Sequence, residues 1–256
     1  MRSTRAFQPS AALKTEGVNA PSDTAHVTNA FSLPEREAVY RAIYERRDMR
    51  HFSGGTVADD LLQRLLSAAH HAPSVGFMQP WRFIRVRSQA LRESLHALAE
   101  QERVLTAQAL GARQDEFMTL KVQGVLDAAE LLVVALPPGR EAHVFGRRTL
   151  PEMDLASAAC AIQNLWLAAR AEGLGMGWVS IFCPVKLAEL LKMPEGSKPI
   201  ALLCLGPVHA FYDQPMLQAE KWARRAALSD LVFDDCWGQL AAPAAGDIPQ
   251  GQGAGA

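Results

Sequence analysis

The chain has 256 residues, with 26 Lys and Arg against 27 Asp and Glu and a formal net charge of -1. That balance excludes a general nucleic-acid binder, whose surface carries a basic excess. Hydrophobic residues make up 49% and charged residues 21% of the chain, which excludes a disordered polymer and indicates a globular protein. The four cysteines form no CxxC pair, so we expect reduced thiols and neither a disulfide framework nor a zinc site.

The longest apolar runs, 131–136 and 199–208, are far shorter than the roughly 20 residues of a membrane-spanning helix. The first thirty residues contain no apolar run of the signal-peptide type, so we expect a cytoplasmic protein with no membrane partner. Residues 1–31 lack periodicity and residues 239–256 are rich in Gly, Ala and Pro. The composition predicts two disordered tails around one domain, 32–238.

The first predicted helix begins with the capping box Ser32-Leu33-Pro34-Glu35 and runs from Leu33 to Arg47. A second helix follows Thr56 and ends before Pro73, and the alternating run from Trp81 to Arg87 predicts a half-exposed strand.

Helical patterns at 89–110 and 113–129 lead into a buried strand at 131–136. The most apolar helix is predicted to be capped by Asp154 and to end at Gly173 and Gly175, and its small residues favour a central or subunit-shared position. The rest of the pattern predicts a strand from Gly177 to Phe182, a short helix at 185–193 and a strand from Ala201 to Leu205. Strands interleaved with longer helices indicate a layered α/β or α+β domain.

Three guanidinium groups and one carboxylate crowd the end of the first helix, on Arg46, Arg47, Asp48 and Arg50. Arginine suits bidentate phosphate recognition, so this cluster can hold a phosphorylated ligand. The alternative is a set of solvated cations that complement the helix dipole.

A proline-bracketed loop joins the second helix to the first strand and carries polar groups on Ser74 and Gln79. Phe77, Met78 and Trp81 surround them, a mixture typical of a site for a planar ligand. The alternative is a rigid turn that binds nothing.

Gly173, Gly175 and Gly177 precede a predicted strand, whereas a dinucleotide-binding fingerprint follows one, so we reject a Rossmann site. These glycines either turn a helix sharply into a strand or let a ligand ring approach the backbone. Ser180 lacks the GxSxG context of an activated nucleophile, and the histidines show no metal-ligand spacing, so we expect no metal.

Four strings in this order resemble the flavin-dependent nitroreductase fold and, within it, the 5,6-dimethylbenzimidazole synthase family. They are AVYRAIYERRDMRHF, AAHHAPSVGFMQPWRF, MDLASAACAIQNLWLAARAEGLGMGWVSIF and KWARRAALSDLVF. The resemblance implies an α+β fold whose central, mostly antiparallel sheet is flanked by helices, in an intertwined homodimer.

It further implies that reduced FMN, bound across the subunit interface, is the substrate. Enzymes of this family use O2 to fragment reduced FMN into 5,6-dimethylbenzimidazole, the lower ligand of cobalamin, and erythrose 4-phosphate. NAD(P)H would then act only indirectly, through a partner flavin reductase.

Six residues match flavin-binding positions of the family. They are Arg46, Arg47, Arg50, Ser74, Gln79 and Arg225. Asp48 matches an acidic residue associated with the chemistry of the family, and Ser180 a serine near the reactive edge of the flavin. We expect Asp48 to move protons during fragmentation and Ser180 to hydrogen-bond the flavin or its peroxide adduct. Flanking arginines should lower the pKa of Asp48. The alternatives are that Asp48 only pairs with Arg47 or Arg50, and that Ser180 is a buried strand serine.

The resemblance also implies a flavin lid between Glu102 and Lys121. His51 and Ala223 depart from the acidic and basic residues expected there, which puts the local contacts in doubt. Two other functions stay open: an FMN-dependent nitroreductase or NAD(P)H:flavin oxidoreductase that keeps its flavin, and a flavin-binding or storage protein without turnover.

Overall fold

The computed structural model describes residues 29–119 and 122–240. Most of both predicted tails therefore lies outside the described residues. The chain divides into two compact units, residues 1–38 and 39–256. In the first, Ser32 and Glu35 form one half of the predicted capping box, with Glu35 Oε2 accepting hydrogen bonds from the Ser32 backbone N (2.9 Å) and Oγ (2.6 Å). All four strands belong to the second unit.

The strands form one antiparallel sheet in the order β1-β2-β4-β3. Their bounds are Arg82–Arg85 (β1), Glu130–Leu136 (β2), Gly175–Val179 (β3) and Lys198–Gly206 (β4). The two central strands, β2 and β4, are almost wholly buried, as continuous apolar runs predict. The α+β fold expected from the sequence is confirmed.

The described residues contain eight α-helices. They are Leu33–Glu45 (α1), Asp59–His70 (α2), Gln89–Ala109 (α3), Gln114–Met118 (α4), Gly124–Asp127 (α5), Met153–Ala171 (α6), Pro184–Leu190 (α7) and Met216–Ala219 (α8). None of the described helices is long and apolar enough to cross a membrane.

The core has two layers because alternate residues of β2 and β4 point to opposite faces of the sheet. Leu132 and Leu203 pack with α2 and α6 on one face. Leu131 and Leu202 pack with α3, α5 and α7 on the other. Helix α6 lies against the first face, where Ala158, Ala161, Ile162, Leu165 and Ala169 are fully buried.

Several predicted boundaries are wrong, each for a local reason. Helix α1 ends at Glu45 because the next residues extend along the edge of β3. The helix predicted at 113–129 is two short helices, α4 and α5. Asp154 does not cap α6 but lies buried in its first turn, ion-paired with Arg140 (2.8 Å) and Arg147 (3.1 Å). Strand β3 already includes Gly175 and ends at Val179.

Candidate active site

The segment that follows α1 is held against the edge of β3. Asp48 forms a parallel bridge with Met176, and the Met49 backbone N donates to the Met176 carbonyl oxygen at 2.9 Å. A Cβ atom on Gly177 would clash with the Met49 carbonyl, and one on Gly175 would clash with the Val208 side chain. Because Gly175 and Gly177 have no side chain, they leave room for the segment after α1 to pack against β3. Neither predicted role, a sharp turn or a ligand approach, accounts for Gly175 and Gly177.

The Asp48 carboxylate is fixed by two hydrogen bonds. Oδ1 accepts from the Trp178 backbone N at 3.0 Å, and Oδ2 accepts from Arg50 Nη2 at 2.6 Å. The predicted alternative of a pair with Arg50 is therefore present, but 37% of the Asp48 side chain stays exposed to a ligand. A structural ion pair and a chemical role are compatible here.

Burial raises the pKa of Asp48, against the opposing effects of Arg50, the Trp178 N–H and Arg46. The lowered pKa expected from the flanking arginines is therefore wrong. Partial removal of the carboxylate from water penalises its charged form more than the neighbouring charges stabilise it. A carboxyl group with a raised pKa is better matched to proton transfer near neutral pH.

The guanidinium group of Arg46 lies 4.4 Å from the centre of the Trp166 ring, a cation–π contact. Burial is the main cause that lowers the pKa of Arg46. Arg47 and Arg225 lower it further, while Asp48 opposes them. The field of several positive charges makes this a favourable place for an anion.

Arg47 binds backbone carbonyls of its own chain. Its Nη1 donates to Tyr44 O (2.7 Å) and Arg46 O (2.9 Å), and its Nη2 donates to Asp213 O (2.9 Å). Among the described residues, its buried Nε has no hydrogen-bond partner. An unpaired buried donor costs about 1–3 kcal/mol, so an anionic oxygen here would be stabilised.

These groups line one cleft of about 830 Å³, which we call the arginine cleft. It brings together Arg46, Arg47, Asp48 and Arg225 from the predicted set, but not Arg50, and adds Gln163 from α6. The volume falls within the roughly 300–1,000 Å³ typical of ligand pockets.

Ser180 lies just beyond β3 and is exposed, so the alternative of a buried strand serine is wrong. It lines a smaller cavity of about 90 Å³, the serine pocket, with Arg50, Phe117 and Met216. Arg50 thus contacts Asp48 and lines the pocket of Ser180, which joins the two predicted catalytic residues.

Ser74 and Gln79 are not brought to the arginine cleft within one protomer. The Ser74 hydroxyl accepts from the Gln79 backbone N at 3.0 Å, and the Val75 N donates to Ser157 Oγ of α6 at 3.0 Å. Phe77 (φ 53°) and Gln79 (φ 49°) are left-handed, a conformation that is strained for non-glycine residues. Gln79 lines a separate cleft beside Trp81.

Sequence reasoning missed the segment after β4. Its Asp213 carbonyl holds Arg47, and Met216 lines both the arginine cleft and the serine pocket. It also missed the Trp178 backbone N that orients Asp48. Backbone groups carry no side-chain signal, and an isolated Met more often fills a core.

The fold and site define a protein of the nitroreductase family, whose family model matches residues 43–207. A 5,6-dimethylbenzimidazole synthase of Rhodobacter capsulatus is 37% identical over 194 residues, covering 75% of this chain and 94% of that protein. One from Rhodospirillum rubrum is 37% identical over 185 residues, covering 70% and 86%. Within the nitroreductases, the chain therefore belongs to the 5,6-dimethylbenzimidazole synthase family.

A solved structure of similar fold is an iodotyrosine deiodinase bound to FMN and 3-iodo-L-tyrosine. It has a TM-score of 0.57 and 22% identity, covering 69% of this chain and 94% of that chain. This similarity supports the assignment of the nitroreductase fold.

Proposed function

We propose that the protein is a 5,6-dimethylbenzimidazole synthase. It uses O2 to fragment reduced FMN into 5,6-dimethylbenzimidazole, the lower ligand of cobalamin, and erythrose 4-phosphate. The observation that carries the proposal is the Asp48 carboxyl, fixed by Trp178 and Arg50 at the edge of an arginine-lined cleft. Curated relatives of that name at 37% identity support the same conclusion.

The arginine cleft fits a flavin phosphate. Arg46 and Arg225 add positive charge, and the unpaired buried Nε of Arg47 lacks an acceptor that a phosphate oxygen would provide. We assign these three residues to the phosphate and Arg50 to the ring side, next to Ser180. The FMN bound to a solved relative of this fold supports the choice of cofactor.

A homodimer would complete the site. Helix α1 leaves Tyr40 and Tyr44 exposed at 54% and 71%, and such clustered apolar exposure marks an interface. The loop of Ser74 and Gln79 lies apart from the arginine cleft of its own protomer. We propose that each loop contacts the flavin held by the other protomer, as a two-fold axis allows.

When bound, reduced FMN supplies both the electrons for O2 and the ring that is cut. The side chains of the protein transfer protons and exclude water. Asp48 accepts or returns a proton at Oδ2 as ring bonds break, and the adjacent Arg50 stabilises the carboxylate that forms. Ser180 Oγ hydrogen-bonds the reacting edge. Phe117 of α4 covers the serine pocket, which supports a lid that excludes water there.

Reduced FMN would come from a separate flavin reductase, with NAD(P)H used only by that partner. Gly175 and Gly177 of the glycine-rich segment pack against Met49 and Val208, which argues against a dinucleotide there. The thiols of Cys160, Cys183, Cys204 and Cys236 are free, which supports a reducing, cytoplasmic location.

The test mixes the purified protein with chemically reduced FMN, admits air and analyses the products by liquid chromatography and mass spectrometry. The synthase releases 5,6-dimethylbenzimidazole with air and none without it. Recovery of intact FMN, together with steady NAD(P)H-dependent reduction of a nitroaromatic acceptor, would establish the nitroreductase function instead.

A further inference from the structure

The chain after β4 forms a strap, residues 209–220, that is fastened to the active-site segment. Arg47 Nη2 donates to the Asp213 carbonyl at 2.9 Å, and the Arg50 backbone N donates to the Tyr212 hydroxyl at 3.2 Å. The Arg170 guanidinium lies 4.1 Å from the centre of the Phe211 ring. The strap is therefore a fixed wall of the site.

A second large cleft, of about 660 Å³, lies against this strap, and we call it the strap cleft. Met49, His51, Phe211 and Tyr212 give it an apolar and aromatic lining. Its described lining includes no Lys or Arg, and it does contain the acidic side chain of Glu220. The charge of the strap cleft thus disfavours a phosphate, in contrast to the arginine cleft.

The strap cleft adjoins the reaction site. Asp213, Gln214 and Met216 line both it and the arginine cleft, and Met216 also lines the serine pocket. Methionine is flexible and readily changes rotamer. A movement of this one side chain would therefore open a path from the reaction site into the strap cleft.

Hydrogen bonds hold the side chains of Tyr212 and His51 at the wall of the strap cleft. Tyr212 Oη accepts from the Arg50 N–H and also forms a hydrogen bond with His51 Nδ1, 2.8 Å away, in which the donor is set by the His51 tautomer. In the tautomer in which Nδ1 accepts from Tyr212, His51 carries its proton on Nε2, which is then a donor. An aromatic nitrogen base offers the matching acceptor.

We propose that the strap cleft is a release subsite for the planar, uncharged aromatic product, a benzimidazole. The inference rests on the proposed function, because that reaction divides a phosphorylated flavin into an anionic sugar phosphate and a neutral bicyclic base. Two adjoining clefts of opposite chemistry match these two fragments. The arginines retain the phosphate side, while the aromatic wall and His51 receive the base.

The test measures binding of 5,6-dimethylbenzimidazole to the full chain saturated with oxidised FMN, by isothermal titration calorimetry. Ala219→Trp fills the strap cleft, and Ala227→Trp is the matched control, because Ala227 is exposed and does not line it. The proposal predicts binding in the presence of FMN, weakened at least about tenfold by Ala219→Trp and changed less than about twofold by Ala227→Trp.

Ala210→Phe fills the cleft from another lining position and serves if Ala219→Trp does not fold. Absence of binding, competition between the base and FMN, or equal affinities of the filled and control variants would each overturn the subsite. Product formation by the wild-type protein is measured separately. If it fails, the proposed function is wrong; if it succeeds while filling has no effect on binding, only the subsite is wrong.

Discussion

Asp48→Asn removes a charge and a proton-accepting group while nearly preserving shape. The amide oxygen can still accept from the Trp178 backbone N, but the ion pair with Arg50 is lost. General acid–base catalysis contributes about 10²–10⁴-fold to rate, so we expect benzimidazole formation to fall by at least about 100-fold. The FMN affinity should change little, because the arginines around the cleft remain.

The stability cost should be small. The side chains of Arg50 and Asp48 are 21% and 37% exposed, and an ion pair screened to that degree contributes about 1 kcal/mol or less. Loss of the buried charge offsets part of that cost. Thermal unfolding of the variant should therefore resemble that of the wild type, so lost activity cannot be assigned to unfolding.

The pH dependence of product formation should also have a definite direction. Burial raises the pKa of Asp48, so the carboxylate forms above the usual carboxyl range. Product formation should rise with pH through this pKa, and the rise should disappear in Asp48→Asn. The same shift means that the folded protein holds this proton more tightly than the unfolded chain. The contribution of Asp48 to the free energy of unfolding therefore falls as the pH rises from its pKa in the unfolded chain to its pKa in the folded protein.

Arg50→Gln tests the same pKa from the other partner of the ion pair. Arg50 lowers the pKa of Asp48, so its removal should move the activity rise to higher pH. Stopped-flow reaction of reduced FMN with O2, with product quantified by mass spectrometry, measures both profiles. Full synthesis by Asp48→Asn, with an unchanged pH profile, would refute the proton-transfer role.

Four further changes test other parts of the account. Gly177→Ala should destabilise the protein by about 1–3 kcal/mol in chemical denaturation, because the new methyl group meets the Met49 carbonyl; unchanged stability would contradict that contact. Arg225→Ala should weaken FMN binding about tenfold in fluorescence titrations and leave riboflavin binding unchanged, and equal losses would argue against a phosphate contact. Ser180→Ala should bind FMN normally but lower the product yield, which chromatography would show; a normal yield would remove Ser180 from the chemistry. Leu165→Ala should cost about 2–5 kcal/mol in unfolding free energy, since Leu165 is fully buried, and a smaller loss would mean that the core closes around the gap.

Long periodic signals predicted the fold well. The apolar run of β2 and the apolar helix α6 lie where the pattern indicated, because each buries a continuous surface. Of the predicted flavin-binding arginines, Arg46, Arg47 and Arg225 line one cleft, whereas Arg50 lines the serine pocket.

What the sequence could not predict depends on contacts between distant residues. The raised pKa of Asp48 results from burial against β3, a contact between residues 48 and 176–178. Tyr212 and Met216 became site residues only because the strap returns to the active-site segment. The end of α1 at Glu45 likewise reflects tertiary pairing that overrides the local helical pattern.

The most direct measurement is a single-turnover mass balance. One equivalent of reduced FMN is mixed with excess protein in air, and FMN, 5,6-dimethylbenzimidazole and erythrose 4-phosphate are quantified together. The account predicts that both products appear in amounts equal to the FMN lost, and that Asp48→Asn, with FMN bound, returns intact flavin. Complete recovery of oxidised FMN from the wild-type protein would contradict the account.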